Sequence, residues 1–250
     1  MKKEFMVQRN PKSPISEVFR TLRTNIQFMN ANNNLKTILV TSSAPGEGKS
    51  WVSANLAITF AEANKKVLLI DADMRMGKVA RMFKVASTPG LSNYLSGIDE
   101  LGMKLKEELD IDKYIKATEN ENLYLITAGN LPPNPAELLT SEKTIEMINK
   151  VKEEFDIIIF DAPPTLIVAD AIILSRFIDN TVLVAQYKKT KKENIIKTKK
   201  AIENVGGKIA GVIINRTETD ATKYKYSYYY GETALQTIRR ERRKEEFEEG

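Results

Sequence analysis

A chain of 250 residues, 42% of them apolar, is long enough for one large α/β domain with a sizeable core. It contains no cysteine, which excludes disulfides, thiolate nucleophiles, iron–sulfur clusters and cysteine-bound zinc. It contains no histidine either, so a general base must be a carboxylate, a lysine or a tyrosine. No apolar run approaches the length of a membrane span and the start lacks the apolar core of a signal peptide, so a cytoplasmic protein is expected.

The net charge of +5 is unevenly distributed along the chain. Seven lysines lie between Lys188 and Lys200, and five basic residues lie between Arg239 and Lys244. A solvated helix face explains such clusters, although an acidic membrane surface or nucleic acid would also suit them.

Residues 1–12 are expected to form a flexible arm. A serine and a proline then introduce a predicted helix over about 15–30. Glu17, Arg20 and Arg23 recur at every third position of this helix. They indicate either a surface ion pair within the helix or a row of charges that contacts a neighbouring subunit.

The segment Ser43–Ser50, S-A-P-G-E-G-K-S, lies between an apolar run and a helical pattern. Strand, glycine-rich loop and helix are the order in which a P-loop occurs. Gly46 and Gly48 let the backbone turn its N–H groups towards phosphate oxygens, Lys49 reaches the β- and γ-phosphates, and Ser50 ligates magnesium. The predicted nucleotide-binding residues of the loop are Ser43, Ala44, Pro45, Gly46, Glu47, Gly48, Lys49, Ser50 and Trp51.

A buried-strand pattern over 66–73 ends in two carboxylates, Asp71 and Asp73. Side chains two residues apart at a strand end point the same way, and ligands of open parallel sheets bind beyond the carboxyl ends of the strands. Both aspartates are therefore expected to face the phosphates, although a capping aspartate at a strand end is the simpler alternative.

A second buried strand, 155–161, also ends in an aspartate. An apolar run followed by Asp161 is a Walker B pattern, and this side chain is expected to hold magnesium opposite Ser50. The last predicted strand ends at Asn215 and Arg216, which are candidates for lining the base pocket.

Strands alternate with helices along the chain. Further strands are predicted at 122–127, 181–187 and 208–215, and helices at 91–95, 99–109, from 136, 142–154 and 192–204. This alternation predicts a three-layer α/β P-loop domain over 13–216, with a mostly parallel sheet and right-handed crossovers.

Five of the nine tyrosines lie close together near the end of the chain. They are Tyr224, Tyr226, Tyr228, Tyr229 and Tyr230. Because burying so many phenols would require a partner for each hydroxyl, 217–250 is expected to be an exposed tail with a charged extension. The tyrosines could form an aromatic edge strand, stack on bases, or be phosphorylated.

With these residues in place, the chain resembles the bacterial tyrosine kinases. It is most similar to the separate cytoplasmic kinase subunit of Gram-positive capsule and exopolysaccharide systems, over about 13–231. The resemblance implies that Val67–Arg75 is the Walker A′ motif of that family. It also implies that Glu17, Arg20 and Arg23 take part in ring oligomerisation, and that the tail tyrosines are autophosphorylated by a neighbouring subunit.

This resemblance makes ATP and Mg²⁺ the expected ligands. Lys49, Asp71, Asp73 and Asp161 are the expected catalytic residues, with Ser50, Asp73 and Asp161 near the metal. Asp71 is favoured as the base and Asp73 as the metal-facing group, which the sequence does not separate. The expected partners are a transmembrane modulator whose cytoplasmic tail recruits the kinase to the membrane, protein tyrosine substrates and a cognate phosphatase, with no nucleic acid.

Partitioning ATPases of the ParA/MinD type have the nearest fold and supply the alternative function. Their signature lysine is replaced here by Ala44. This alternative predicts ATP hydrolysis without phosphotyrosine; a regulatory subunit that binds ATP without turnover is a third interpretation. Two features depart from the kinase family: Met76-Gly77 stands where a basic residue and proline are usual, and the extension 232–250 follows the tyrosines.

Overall fold

The computed structural model describes residues 5–29, 35–99, 101–104 and 110–218. The chain divides into two units, Met1–Asn215 and Arg216–Gly250. Only 216–218 of the second unit are described, so the tyrosine cluster lies outside the described residues.

The described residues contain a seven-stranded sheet with the order β3-β4-β2-β5-β1-β6-β7. Its strands are β1 (Thr37–Ser42), β2 (Val67–Asp71), β3 (Lys116–Ala117), β4 (Leu123–Ile126), β5 (Ile157–Asp161), β6 (Asn180–Gln186) and β7 (Ile209–Asn215). All neighbouring strands are parallel except β3 and β4. The predicted mostly parallel sheet is confirmed.

Helices cover both faces of this sheet. They are α1 (Met6–Arg9), α2 (Pro14–Phe28), α3 (Lys49–Ala61), α4 (Val79–Phe83), α5 (Leu91–Ser96), α6 (Pro135–Thr140), α7 (Glu142–Glu154), α8 (Asp170–Ser175) and α9 (Lys192–Asn204), together with a 3₁₀ turn at Ile111–Tyr114. In the described ranges no helix combines the length and apolar character needed to cross a bilayer.

The central strands are buried on both faces, so alternate residues belong to different cores. In β5, Ile159 packs with α2 and α3, whereas Ile158 and Phe160 pack with α7 and α8. Because both faces of these strands are covered, their sequences are continuous apolar runs. The aspartate follows at the strand end, where polar groups surround it. This arrangement brings the carboxyl ends of β1, β2 and β5 to one edge of the sheet.

The N-terminal segment differs from the flexible arm expected for 1–12. Its described part includes α1, in which Val7 is fully buried and donates its N–H to Asn55 Oδ1 at 3.3 Å. The ring centroid of Phe5 lies 4.4 Å from that of Phe83. Apolar side chains near the start of the chain thus anchor it to α3 and α4. The sequence did not predict this because the contacts join residues that are far apart in the chain.

The predicted helix over 99–109 is wrong for residues 99 and 101–104. An antiparallel bridge joins Ile98 to Lys104, and the Asp99 carboxylate accepts the N–H groups of Leu101 at 2.9 Å and Met103 at 2.7 Å. An aspartate that bonds its own following backbone forms a turn in competition with a helix. Residues 105–109 lie outside the described ranges.

Candidate active site

The loop between β1 and α3 has the backbone shape of a phosphate-binding loop. Gly46 and Gly48 have φ values of +82° and +100°, a left-handed region that glycine adopts without strain. Lys49 and Ser50 open α3, whose first N–H groups have no partner within the helix and carry its positive dipole end. This agrees with the predicted P-loop context.

The Glu47 side chain holds this loop together from within. Its carboxylate is buried and accepts hydrogen bonds from the Ser43 hydroxyl at 3.2 Å and the Ala44 N–H at 3.0 Å. The Thr190 hydroxyl, from the β6–α9 loop, donates to the same carboxylate. Ser43, which replaces the consensus glycine, therefore contributes a hydroxyl to the brace. The P-loop motif predicts how the loop backbone contacts phosphate. It does not predict a side-chain bond to a residue 143 positions away, so the role of Thr190 was missed.

Asn215 braces the loop from β7. Its Nδ2 donates to the Glu47 carbonyl oxygen at 2.9 Å. A Cβ atom at Gly48 would lie 2.0 Å from this nitrogen, so a side chain at that position would displace Asn215. The strand end predicted to line the base pocket thus reaches the phosphate loop itself.

A lysine and three aspartates meet beside the loop. Lys49 Nζ lies 2.9 Å from Asp73 Oδ2 and 4.0 Å from Asp161 Oδ1. Asp71 and Asp161 are opposite each other in the register of β2 and β5. All four side chains are buried.

The charges of these groups perturb one another strongly. Burial, and then the charge of Asp161, raises the pKa of Asp71 to about 7. Burial also raises the pKa of Asp161, while Lys49 and the Ser50 hydroxyl act in the opposite direction. For Lys49, burial alone would lower the pKa, but Asp161 and Asp73 outweigh it and the pKa is raised. One lysine cannot neutralise three carboxylates, so the site favours a further cation.

The donor set fits magnesium. Asp161 Oδ2 is buried and accepts no hydrogen bond from the described residues, whereas Oδ1 accepts one from the Ser53 hydroxyl at 3.2 Å. The Ser50 hydroxyl lies beside the same carboxylate. A hydroxyl and a carboxylate across a P-loop are hard oxygen donors of the kind Mg²⁺ prefers.

Asp71 and Asp73 have different surroundings. The Asp71 side chain is fully buried and accepts the N–H groups of Val79 at 2.9 Å and Asp73 at 3.3 Å. A Cβ atom at Gly77 would lie 2.9 Å from Asp71 Oδ2, so the following loop closes directly over that carboxylate. Asp73 instead bonds to Lys49 and to the N–H of Met76 at 3.0 Å, and it lines the site.

Comparison with known proteins decides the family. Residues 35–211 match the AAA domain family AAA_31. The chain is 39% identical to the Putative tyrosine-protein kinase CapB of Staphylococcus aureus, with 90% of this chain and 94% of CapB covered. It is 40% identical to the Tyrosine-protein kinase YwqD of Bacillus subtilis, with 92% of each chain covered. The chain belongs to the bacterial tyrosine-kinase family.

Solved structures agree with this assignment. The chimerical protein CapA2B2 is 36% identical to this kinase with a TM-score of 0.78, over 86% of this chain and 90% of that one. The cell division ATPase MinD of Pyrococcus furiosus has a TM-score of 0.60 at 24% identity, over 74% of each chain, and shows a shared fold alone. The predicted kinase function is therefore confirmed, and as a P-loop kinase the chain binds ATP.

The remaining predicted site residues of the kinase have other surroundings. The Trp51 ring packs edge-on against Phe19 of α2, with centroids 5.4 Å apart, so its side chain contributes to helix packing. Arg216 has a φ of +59° and begins the second unit. Its predicted role at the base stays a prediction.

The three charged residues of α2 also separate. Arg20 pairs with Glu17 and donates to the carbonyl oxygen of Pro11 at 2.8 Å, and the Glu17 side chain is 64% exposed. Arg23 donates to the carbonyl oxygen of Thr59 in α3 at 2.9 Å. The intrahelical ion pair is present, Arg23 contacts α3 of its own chain, and the Glu17 side chain is exposed.

Proposed function

We propose that this tyrosine kinase transfers the γ-phosphoryl group of Mg-ATP to tyrosine hydroxyls and acts in capsule or exopolysaccharide synthesis. The observation that carries the mechanism is the cluster of Lys49, Asp73 and Asp161 beside a preformed phosphate loop. The kinase names of relatives that match nearly the whole chain support the activity.

The chain's own groups bind and orient the phosphates. The loop N–H groups and Lys49 contact the β- and γ-phosphates, which requires Lys49 Nζ to leave Asp73 for a phosphate oxygen. Ser50 and Asp161 would hold the metal, which would neutralise charge on the phosphates when bound. Positioning and charge neutralisation are the main requirements of phosphoryl transfer, and these residues supply both.

Asp73 is the carboxylate best placed to orient the phenol. As the tyrosine oxygen bonds to the γ-phosphorus, the bond from that phosphorus to ADP breaks, and the phenol proton passes to Asp73. The sequence favoured Asp71 for this role, but Asp71 is enclosed by the loop over 73–79. We assign Asp71 to holding that loop and, through its charge, to the electrostatics of the site.

The tail tyrosines, from Tyr224 to Tyr230, are the proposed first substrates, phosphorylated by a neighbouring copy in a ring that Glu17 and Arg20 help to form. Each phosphate adds about 1.5 to 2 negative charges, and adjacent groups repel one another and the acidic site. The unphosphorylated form should therefore assemble and the phosphorylated form dissociate.

The proposed location is the inner face of the membrane, reached through a transmembrane modulator. The likeness to CapA2B2, whose name joins an A and a B component, supports such a partner. Reversal by a cognate phosphatase completes the cycle.

Intact-protein and peptide mass spectrometry after incubation with Mg-ATP tests the proposal. We expect phosphate on the cluster from Tyr224 to Tyr230, and its loss in Lys49→Met, because the γ-phosphate loses its positioning cation. Lys65→Met, at an exposed lysine beyond α3, is the matched control and should behave as wild type. ATP hydrolysis without phosphate on any tyrosine would overturn the proposal in favour of a partitioning-type ATPase.

A further inference from the structure

The loop 72–78 between β2 and α4 carries Asp73, so its position decides where that carboxylate lies. At its start, the Ala72 N–H donates to the Asp161 carbonyl oxygen at 2.9 Å. The Met76 N–H donates to Asp73 Oδ1 within the loop at 3.0 Å, and the Val79 N–H, at the start of α4, donates to Asp71 Oδ2 at the end of β2 at 2.9 Å. These contacts shape the loop and attach its first residue to β5. None of them attaches the middle of the loop to the segment that contains α8.

Arg75 makes that attachment. Its Nε lies 3.1 Å from Asp170 Oδ2, and its second nitrogen, Nη2, lies 3.3 Å from Oδ1. This is a two-point pair between a planar guanidinium and a carboxylate, a geometry that lysine cannot reproduce. The Asp170 side chain is fully buried and the Arg75 side chain is 37% exposed.

Asp170 lies on a segment that is itself attached to the phosphate loop. It begins α8, which follows the loop that starts after Asp161. In that loop the Thr165 N–H donates to the Ser42 carbonyl oxygen at 2.9 Å, and the Leu166 N–H donates to that of Ser43 at 3.4 Å. The ion pair between Arg75 and Asp170 therefore links the 72–78 loop to a segment that is hydrogen-bonded to the P-loop.

Arg75 also lies within electrostatic reach of the reaction site. The hydrogen bond to Asp170 raises the pKa of Arg75, burial opposes the rise, and the charges of Asp170 and Asp73 add to it. The guanidinium thus interacts with a buried structural carboxylate through hydrogen bonds and with the carboxylate proposed to orient the phenol through its charge.

We propose that Arg75 and Asp170 are a positioning pair for phosphoryl transfer: their ion pair, the Arg75–Asp170 clamp, fixes the 72–78 loop and so keeps the Asp73 carboxylate in the active site when Lys49 moves to the phosphates. The inference rests on the role given to Asp73 in the proposed function. Arg75 thereby gains a function through a partner 95 residues away. Asp170, the first residue of α8, gains a function in positioning Asp73.

The test compares Arg75→Met, Asp170→Asn and the double variant, all in the full chain. Arg75→Met alone leaves a buried carboxylate unpaired and could unfold, so the double variant, which removes that charge, keeps the test decisive. Arg75→Lys retains the charge without the two-point geometry. Arg81→Met, at an exposed arginine in α4, is the matched control. The measurements are the initial rate of tyrosine phosphorylation and the Kd of ATP by equilibrium dialysis.

We expect the rate to fall about 10- to 100-fold in each single variant, because a small misplacement of a reacting group costs rates of this order. The Kd of ATP should change by less than about threefold, since the loop N–H groups and Lys49 are unaltered. The double variant should be no slower than the slower single variant, because both changes break one interaction. Arg75→Lys should recover only part of the rate.

Two results would overturn the inference. One is a double variant whose rate stays close to wild type. The other is a pair of single variants whose losses multiply in the double variant. Asp73→Asn separates this from the proposed function: full activity in that variant removes the role of Asp73, whereas an inactive Asp73→Asn beside an active double variant removes only the clamp.

Discussion

At the scale of single residues, the active site is governed by carboxylates that the fold removes from water. Asp71 and Asp161 end adjacent strands, and burial raises the pKa of each. The aspartates were predictable from the sequence because parallel strands end at one edge, and Lys49 was predictable from the glycine-rich loop. The sequence pattern could not predict which aspartate the loop would enclose, since that depends on how Gly77 lets the backbone close over Asp71.

The raised pKa of Asp71 gives a prediction for stability. With a folded pKa of about 7 against an ordinary value of 3.8, the folded state binds the proton more tightly than the unfolded state. Stability contributed by this group is present below pH 4 and is lost as pH rises towards 7. Asp71→Asn removes the titration, so the variant should gain free energy of unfolding relative to wild type between pH 4 and 7.

Urea unfolding at pH 5 and pH 8 measures this effect. Asp112→Asn, at an exposed carboxyl group, is the control and should leave the pH dependence unchanged. An Asp71→Asn curve that runs parallel to wild type would show that Asp71 is ionised throughout this range.

At the scale of elements, helices and strands were predictable where their apolar residues follow a regular pattern along the chain. The strands β1, β2, β5, β6 and β7 and the helices α2, α7 and α9 were predicted because each continues an apolar run or repeat over at least five residues. The elements α1, α4, α8 and β3, none longer than six residues, were missed, whereas the equally short α5 and α6 were predicted because a proline-containing turn precedes each of them. The missed elements are held by tertiary contacts and carry no period of their own. For the same reason the bonds from Thr190 to Glu47 and from Arg75 to Asp170, which span 143 and 95 residues, leave no local signal.

The brace between the β6–α9 loop and the phosphate loop should control ATP affinity. Thr190→Val removes the hydroxyl that donates to the buried Glu47 carboxylate. A lost hydrogen bond to a charged group costs about 1.5 to 3 kcal/mol. Part of that cost should appear as a Kd for ATP raised about tenfold, since the loop must be reordered on binding.

Thr190→Ser is the conservative control, because it keeps the hydroxyl and should bind ATP as wild type does. Isothermal titration with ATP and Mg²⁺ compares the three proteins. An equal Kd for Thr190→Val and wild type would show that the phosphate loop holds its shape without Thr190.

At the scale of the whole molecule, the outer surface of α2 is the proposed contact between subunits. Arg23 is bonded to α3 within its own chain, so Glu17 and Arg20 are the members of the predicted pattern that are left to face a neighbour. Glu17 and Arg20 also form an ion pair with each other within the helix. A single charge removal would therefore disturb both interactions and could not tell them apart.

A charge swap separates them. In the double variant Glu17→Arg/Arg20→Glu, opposite charges remain three residues apart, so the loss is confined to about 0.5 kcal/mol from the reversed order relative to the helix dipole and to the exposed hydrogen bond from Arg20 to the Pro11 carbonyl oxygen. The charges presented to a neighbouring subunit are reversed. If α2 forms the ring contact, sedimentation velocity of unphosphorylated protein should show oligomers for wild type and monomers for the swap, with the melting temperature nearly unchanged. An oligomer of unchanged size in the swapped variant would place the subunit contact on another surface and leave Glu17 and Arg20 as a surface ion pair.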